Sequence, residues 1–444
     1  MKKIKHLNKL ILCTGLCFLL TGCAGSGILD EVPRDFSVEL SKMQEENADK
    51  TGASAGSFSD TDGGEKQVGK QPEDRLSDEQ SAEAQDNPEQ LLGDAYSFLC
   101  EDADTYAYSG LSEVKQIWYR DIATILGARA EDVKLSKEGL EQGLGEEDID
   151  EVFQCVLSDH PELFYVDGYS YTRYTRDDEV TAIEFSGSYN VDFETAQAKE
   201  AEIKAAADAI LAGAPQDGGE YEKVKYVYDT LIRETDYQLN SPDNQNIYSV
   251  FVNHASVCQG YAKAAQYLLN RMGIECTLVL GTVDTGEGHA WNLVKIDGSY
   301  YYMDPTWGDA SYQMSESAAS QVSLPEVNYD YLNVTTAELL RTHVIGGYVP
   351  MPECVATEAN YYVREGALFS TYNREQMAAL FDNALSGGKK DVTVKCTDAG
   401  CYSEVLRNLI EEQDIFTYLG NAGDSIAYAP NDKQLSVTFW VTNE

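Results

Sequence analysis

Three residues between Ser249 and Trp307 have the types and the order that thiol acyl-transfer chemistry requires. Cys258 stands at the start of a helix-forming sequence, His289 begins a His-Ala-Trp-Asn run, and Asp304 begins Asp-Pro-Thr-Trp. Such chemistry needs a thiolate, a base to generate it, and a carboxylate that holds the base in one tautomer. A lone cysteine is usually a small buried apolar residue. The ordered set of three instead predicts a catalytic site.

The sequence from Gly260 to Met272 predicts the helix that positions the cysteine. It is rich in strong helix formers, and Gly273 follows where a left-handed C-terminal cap is expected. Cys258 then lies at the first turn, where backbone N–H groups and the positive end of the helix dipole favour a thiolate. The same N–H groups are also placed to hold an oxyanion.

An Asp-Gly pair at residues 297–298 predicts the hairpin that brings the histidine and the aspartate together. It separates two runs rich in β-branched or aromatic residues. If this pair forms the turn, Asp304 lies opposite Trp291, which shares a sheet face with His289 because side chains alternate along a strand. A register shift of one residue would put the imidazole and the carboxylate on opposite faces.

This segment resembles the transglutaminase-like superfamily of papain-type thiol enzymes, in the branch found on bacterial cell surfaces. The residues that carry the resemblance are Tyr248-Ser249, Cys258-Gln259-Gly260-Tyr261-Ala262, Gly273-Ile274, Gly281, His289-Ala290-Trp291-Asn292 and Tyr302-Met303-Asp304-Pro305-Thr306-Trp307. The resemblance covers residues 221–309. It implies an α+β core in which a helix bearing the cysteine packs on an antiparallel sheet bearing the histidine and the aspartate. It also implies action on amide bonds of a peptide, protein or cell-wall peptide, with no metal or other cofactor.

Three further residues have predicted roles at the cleft. Papain-type sites often take a second oxyanion donor from a side-chain amide shortly before the cysteine, and Asn253 is the nearest one upstream. Its alternative role is to cap a loop. Trp291 and Trp307 are expected to wall the cleft or to pack beneath it. His254 is interpreted as a loop residue, and His343 lies far along the chain without a motif.

The first 23 residues predict an export signal that ends at a lipid attachment point. A basic start precedes an apolar run from Leu10 to Leu20, which is too short to span a membrane. The run ends in Leu-Thr-Gly-Cys, which resembles a bacterial lipobox, so Cys23 is expected to become the lipidated N-terminus. The alternative is an ordinary signal peptide. The lipid would anchor the protein to the outer face of the bacterial cell membrane.

Composition divides the remaining chain into four parts. Residues 24–90 are acidic and polar and predict a disordered tether, because they cannot bury enough apolar area to offset the ordering entropy. Residues 91–215 predict an α+β region, residues 216–349 the catalytic core, and residues 350–444 a small α/β accessory domain. The pattern in this last part is strand, helix, strand, helix, strand, beginning with a strand over 361–368.

The seven cysteines that follow Cys23 predict at least one free thiol, because an odd number cannot all pair in an oxidising setting. Cys258 is the natural candidate. Cys396 and Cys401 are close enough to bridge a short loop, whereas Cys155 and Cys276 sit in apolar patterns that favour burial as thiols. Their spacing is not typical of structural zinc.

The net charge of −42, from 75 acidic and 33 basic residues, makes nucleic acid a poor partner. Two classes of function remain. The leading hypothesis is a lipid-anchored thiol enzyme, which is a peptidase or amidase if water accepts the acyl group and an acyltransferase if an amine does. The alternative is a surface binding or scaffolding protein that keeps the fold without turnover.

Overall fold

The computed structural model describes residues 9–14, 16–21, 105–176, 179–309, 325–419 and 425–441. Cys23, Cys100 and the predicted tether lie outside these residues. Two short strands, β1 (Lys9–Thr14) and β2 (Leu16–Thr21), pair in antiparallel fashion inside the predicted signal segment. Within the described ranges, no helix has the length and apolarity needed to cross a membrane.

The N-terminal region packs helices against a three-stranded antiparallel sheet. Its elements are α1 (Tyr106–Gly110), α2 (Glu113–Ala128), β3 (Val133–Lys134), α3 (Lys137–Glu141), α4 (Glu146–Asp159), β4 (Val166–Arg176) and β5 (Glu179–Tyr189). The side chain of Ser112 accepts the N–H of Lys115 and so begins α2. The α4 helix ends before His160-Pro161, where the sequence predicts its end, because the residue before a proline disfavours helical geometry.

The central region has the predicted α+β architecture. Its elements are α5 (Phe193–Gly213), α6 (Glu220–Glu234), β6 (Asp236–Tyr237), α7 (Ile247–Phe251), β7 (Ala255–Ser256), α8 (Cys258–Arg271), β8 (Cys276–Val283), β9 (Gly288–Ile296), β10 (Ser299–Met303), α9 (Pro305–Gly308), α10 (Thr336–Leu339) and β11 (His343–Ile345), with a 3₁₀ turn at Tyr329–Tyr331. Four strands form an antiparallel sheet in the order β10-β9-β8-β11. The α8 helix packs against β8 and β9, so a helix-on-sheet core is confirmed.

The helix that bears the cysteine begins at Cys258 and ends just before Gly273. Gly273 has a φ of 76°, the left-handed conformation expected of a glycine after a helix. The apolar face of the helix is buried and includes Tyr261 and Leu268 at 0% exposure. This burial fixes the axis of α8, and with it the position of the Cys258 side chain at its first turn.

The hairpin between β9 and β10 has the predicted register. Asp297 and Gly298 have φ values of 49° and 83°, and a two-residue turn of this type requires positive φ at both positions. Met303 pairs with Asn292. The next residue, Asp304, therefore leaves the strand beside the histidine-bearing part of β9.

The C-terminal region is a mixed sheet with helices. Its elements are α11 (Tyr361–Arg364), β12 (Leu368–Phe369), α12 (Arg374–Ser386), β13 (Asp391–Cys396), α13 (Ala399–Leu406), a π-helical turn (Arg407–Glu411), α14 (Ile415–Tyr418), β14 (Ser425–Asn431) and β15 (Ser436–Val441). The sheet order is β12-β13-β15-β14-β1-β2. The strand predicted over 361–368 is wrong, because the side chain of Asn360 accepts the N–H of Tyr362 and begins a helical turn there. The β14 strand was not predicted.

A buried ion pair joins the central and C-terminal regions. Asp330, 3% exposed, belongs to the central region and lies against Lys395 on β13, which is 1% exposed. The carboxylate of Asp330 accepts hydrogen bonds from Lys395 Nζ at 3.3 Å, Tyr362 Oη at 3.0 Å, Asn431 Nδ2 at 2.9 Å and Ser436 Oγ at 2.6 Å. A buried charge needs such partners to remain ionised. The two regions therefore meet through a satisfied polar cluster.

Candidate active site

Cys258 lies at the first turn of α8 with its side chain partly exposed. It packs beside Ala262, Leu278 and Ala290, and its thiol lies close enough to the ring of His289 to help raise the pKa of that ring. Cys155, Cys258, Cys276, Cys354, Cys396 and Cys401 are all free, and of these six Cys258 alone is not buried. A thiol at this position lies at the positive end of the helix dipole and next to a base, and both favour the thiolate.

His289 and Asp304 of the predicted triad are joined by a direct hydrogen bond. His289 Nε2 lies 2.8 Å from Asp304 Oδ2, and their side chains are 5% and 0% exposed. A carboxylate only accepts hydrogen bonds, so the proton of this pair sits on Nε2 of the ring. Since Nε2 is engaged by Asp304, Nδ1 is the ring nitrogen left to face the Cys258 thiol.

Asp304 is also the N-cap of α9. Its Oδ1 accepts the backbone N–H groups of Thr306 at 2.9 Å and Trp307 at 3.1 Å. The Asp-Pro-Thr-Trp sequence suits this role, because aspartate caps a helix well and proline fits the first helical position. One carboxylate oxygen thus builds the turn, and the other faces the histidine.

His289 and Asp304 each shift the pKa of the other in the direction that favours the charged form. Burial by itself lowers the pKa of His289, but the adjacent Asp304 carboxylate outweighs it and holds that pKa well above the ordinary value. Burial alone would raise the pKa of Asp304, yet His289 and His343 hold it well below its usual range. The aspartate is therefore ionised at neutral pH, and the imidazole readily takes up the thiol proton.

His343 is a site residue that the sequence analysis did not assign. It lies on β11, the edge strand paired with β8, and its Nε2 is 3.0 Å from Asp304 Oδ2. Its side chain is fully buried. The strand is three residues long and comes 39 residues after Asp304, so no local pattern links the two. Only the pairing across the sheet does so.

The same cluster contains side-chain atoms of the kinds that can coordinate a metal ion. Within the described part of the chain, one ligand atom from each of His289, Asp304 and His343 lies within 4.8 Å of the others. The direct hydrogen bonds of 2.8 and 3.0 Å already engage Asp304 Oδ2. Each ring would have to give up its Nε2 proton to bind a cation, so the observed arrangement is one for placing protons.

The two predicted cleft-wall tryptophans pack beneath the histidine. Trp291 is 0% exposed and stacks on the His289 ring with centroids 5.8 Å apart. Trp307 is 7% exposed and its ring centroid lies 6.1 Å from that of His289. Of the two predicted alternatives, the structure shows packing beneath the site, where the rings fix the plane of the imidazole.

The oxyanion role predicted for Asn253 does not fit its position. Its side chain lies in an exposed loop and Nδ2 donates to the Pro242 carbonyl at 3.1 Å, which is the loop-capping alternative. His254 is also a loop residue, with its ring on the Glu234 carbonyl. The backbone N–H groups at the start of α8 are left as the oxyanion donors that the geometry favours.

The other cysteines whose side chains the structure describes are buried and therefore unsuited to nucleophilic chemistry. Cys155 and Cys276 are buried free thiols, as predicted, and burial raises the pKa of Cys155 to about 12. The bridge considered for Cys396 and Cys401 is not formed, since both are free and buried. A deprotonated thiol is the reactive species, so these groups are inert beside Cys258.

A separate cleft of about 750 Å³ lies in the N-terminal region. It is lined by residues such as Arg129, Asp132, Ser186 and Tyr189, and its lining includes no cysteine or histidine.

A partly exposed thiol at a helix start, near a histidine on one strand and an aspartate just after the end of the next strand, is the arrangement of a papain-type thiol site. Comparison with known families agrees. Residues 204–305 match the model of the transglutaminase-like superfamily. The predicted resemblance to this superfamily is confirmed for that segment of the chain. This match supports a thiol enzyme.

Solved structures show a likeness to about a third of the chain. A crystal structure of a TGase is 18% identical, covering 31% of this chain and 44% of that one, with a TM-score of 0.23. A protein from Cytophaga hutchinsonii, provisionally described as a cysteine protease, is 12% identical over 32% of this chain and 62% of its own, with a TM-score of 0.22. The periplasmic domain of TgpA from Pseudomonas aeruginosa, bound to ethylmercury, is 19% identical over 32% and 60%, with a TM-score of 0.20. The chain thus spans less than two thirds of each of these structures. No curated protein matches it significantly.

Proposed function

We propose that this protein is a thiol enzyme that acts on amide bonds through Cys258, His289 and Asp304. The observation that carries the proposal is the hydrogen bond of the His289 imidazole to a buried carboxylate, next to a partly exposed thiol that influences the pKa of the same ring. The family match of residues 204–305 supports the same chemistry.

The proposed reaction has two halves. Cys258 Sγ attacks the amide carbonyl while its proton passes to Nδ1 of His289, and the first-turn N–H groups of α8 hold the oxyanion. The C–N bond then breaks, and His289 returns the proton to the leaving amine. Water or an amine next attacks the thioester, His289 takes a proton from it, and the thiol is released.

We propose hydrolysis of peptide or cell-wall peptide bonds as the outcome. Cys258 is partly exposed, which leaves water a route to the thioester, and amine transfer depends on keeping water out. The acidity of the chain favours cationic groups on the substrate. Incubation with glutamine-containing and wall-derived peptides, with and without an added amine, distinguishes hydrolysis from transfer by the mass of the product.

The test of the function is brief alkylation of the purified protein with iodoacetamide between pH 4 and pH 9, read by mass spectrometry. We expect Cys258 to be alkylated in preference to the buried thiols, whereas Cys155, an internal control, stays unmodified. Cys258→Ala should fold normally and lose all turnover. Unselective labelling, together with equal turnover in the variant, would support the alternative of a surface binding or scaffolding protein.

We further propose that the protein is exported and held at the outer face of the membrane by lipid on Cys23. The support is the basic start, the apolar run and Leu-Thr-Gly-Cys in the sequence. Cys23→Ala should leave the protein unprocessed or released into the medium. Mature Cys23→Ala protein that stays with membranes after a high-salt wash would show another mode of attachment.

A further inference from the structure

We propose that His343 is a positioning residue of the triad, which shares one carboxylate oxygen of Asp304 with His289 and thereby limits how firmly Asp304 holds the His289 proton. The inference rests on the proposed thiol chemistry and concerns the control of its base. It makes the site a network of four residues, with two histidines on one aspartate.

The geometry of Asp304 gives His343 this role. Both ring Nε2 atoms point at the same oxygen, Oδ2, at 2.8 Å from His289 and 3.0 Å from His343. The other oxygen is occupied by the backbone N–H groups of Thr306 and Trp307. The carboxylate therefore has no free oxygen toward which it can rotate, and its negative charge is divided between two ring donors.

His343 acts on Asp304 as a neutral donor. Burial lowers its pKa, so the ring is uncharged at neutral pH and its proton lies on the nitrogen that faces the carboxylate. The other ring nitrogen, Nδ1, lies 2.8 Å from Thr342 Oγ1. A hydroxyl can donate to that nitrogen, so this contact is compatible with the tautomer in which Nε2 carries the proton toward the carboxylate.

The ring of His343 has no room to leave this position. Its centroid lies 5.3 Å from that of His289, 4.9 Å from Trp291, 5.0 Å from Trp307 and 5.6 Å from Tyr331. Of these neighbours, His289 and Tyr331 are titratable, as is Asp304. A ring boxed in by aromatic groups is pre-organised, so its hydrogen bond costs little ordering entropy in each turnover.

The C-terminal region contacts Thr342, the hydrogen-bond partner of His343, through Gln434. Gln434, which is 0% exposed, donates from Nε2 to Thr342 Oγ1 at 3.5 Å and to the Glu338 carbonyl at 3.3 Å. Its Oε1 accepts from Lys395 Nζ at 3.3 Å. A chain of polar contacts therefore runs from the buried ion pair between the regions to the triad.

The shared oxygen has a chemical consequence because His289 must both take and return a proton. An aspartate that interacted with His289 alone would stabilise the imidazolium strongly and slow the return of the proton to the leaving amine. A second donor on Oδ2 weakens that hold. Removing the donor should therefore preserve the thiolate and impair the step that protonates the amine.

The experiment compares His343→Phe, which keeps a flat ring without a donor, with His343→Gln, whose amide N–H can reach Asp304. In the Phe variant we expect kcat to fall about tenfold with KM nearly unchanged. The lowest pH at which Cys258 is still alkylated, called here the alkylation limit, should move to lower pH. In the Gln variant, kcat and the alkylation limit should both return most of the way to their wild-type values. His160→Phe alters another buried histidine away from the triad and is the control for packing damage.

Two results would overturn the proposal. In one, His343→Phe leaves kcat and the alkylation limit as in the wild type. In the other, the limit moves to higher pH, which would mean that the ring only keeps the site folded. If His343→Phe does not fold, Thr342→Val removes the Nδ1 partner together with the longer contacts of that hydroxyl to Gln434, Tyr331 and Leu339. It should shift both quantities in the same direction by a smaller factor, and no shift there also refutes the role.

A separate readout does not depend on turnover. In a Cys258→Ala background, the NMR titration of the His289 ring should give a higher pKa when His343 is Phe, by about 0.5 unit or more. If the wild type proves inactive and its thiol unreactive, the proposed function fails while this titration still decides the role of His343. An unchanged titration would reject that role even in an active enzyme.

Discussion

Replacing Lys395 by methionine should destabilise the protein by about 3 kcal/mol, because it leaves a buried carboxylate without its cation. Methionine matches the length of the lysine stem, so the loss of packing is small. Lys395 is 1% exposed, and its Nζ contacts Asp330 Oδ1 and Gln434 Oε1, each at 3.3 Å.

The size of the effect follows from what remains around Asp330. Removing one partner of a buried pair typically costs about 3–5 kcal/mol. Tyr362, Asn431 and Ser436 still donate to the carboxylate in the variant, which puts the expected loss at the lower end of that range. Asp330→Asn added to Lys395→Met removes the unpaired charge and should restore part of the stability.

The assay is urea unfolding followed by circular dichroism, with the slope compared between variants. Lys433→Met is the matched control, because Lys433 pairs with Asp284 between the same two regions but is partly exposed at 27%. An exposed pair contributes at most about 1 kcal/mol. Equal losses in the two variants, or a double variant less stable than Lys395→Met, would refute the reasoning that the buried pair joins the regions.

Three further outcomes can be measured. Asp304→Asn should keep the cap of α9 but lower turnover by about 10²–10⁴-fold in a peptide-cleavage assay, since an amide nitrogen facing His289 reverses its tautomer; near-normal turnover would show that another group orients the ring. Gly281→Ala should cost about 1–3 kcal/mol in thermal unfolding, because the added methyl would collide with the Val344 carbonyl and the Trp291 ring, whereas Gly168→Ala, whose methyl would meet Ser188 at an ordinary contact distance of 3.8 Å, should be close to neutral. The folded pKa of Asp304 lies below its unfolded value of about 3.9, so its contribution is complete above that pH and is lost as the pH falls toward the folded pKa; wild-type stability to urea should fall below about pH 4, and Asp304→Asn should show a smaller loss.

The parts of the site that lie close together in sequence were predictable. The start of the helix at Cys258, the Asp-Gly turn and the facing of His289 and Asp304 all follow from short-range rules, because caps and two-residue turns act over a few residues. The α+β core followed from the same elements together with the family resemblance.

The parts that depend on long-range pairing were not predictable. His343 reaches Asp304 only because β11 pairs with β8, and Gln434 comes from a different region of the chain. No periodicity within a three-residue strand reports such a contact. The error at residues 361–368 was avoidable, since Asn360 is a good N-cap and the following tyrosines begin a helical turn. Asn253 was chosen by its closeness to the cysteine in sequence, whereas its amide turns toward the Pro242 carbonyl.

The two oxygens of Asp304 have different structural roles, and this affects how related sequences should be interpreted. One oxygen secures the start of α9 and the other faces the histidines. Selection for a stable fold would therefore preserve this aspartate even in a lineage that no longer performs chemistry. Cys258 has no comparable second duty, since it is partly exposed at the helix start. Among relatives, loss of the cysteine with retention of the aspartate would mark a descendant that kept the scaffold and abandoned catalysis.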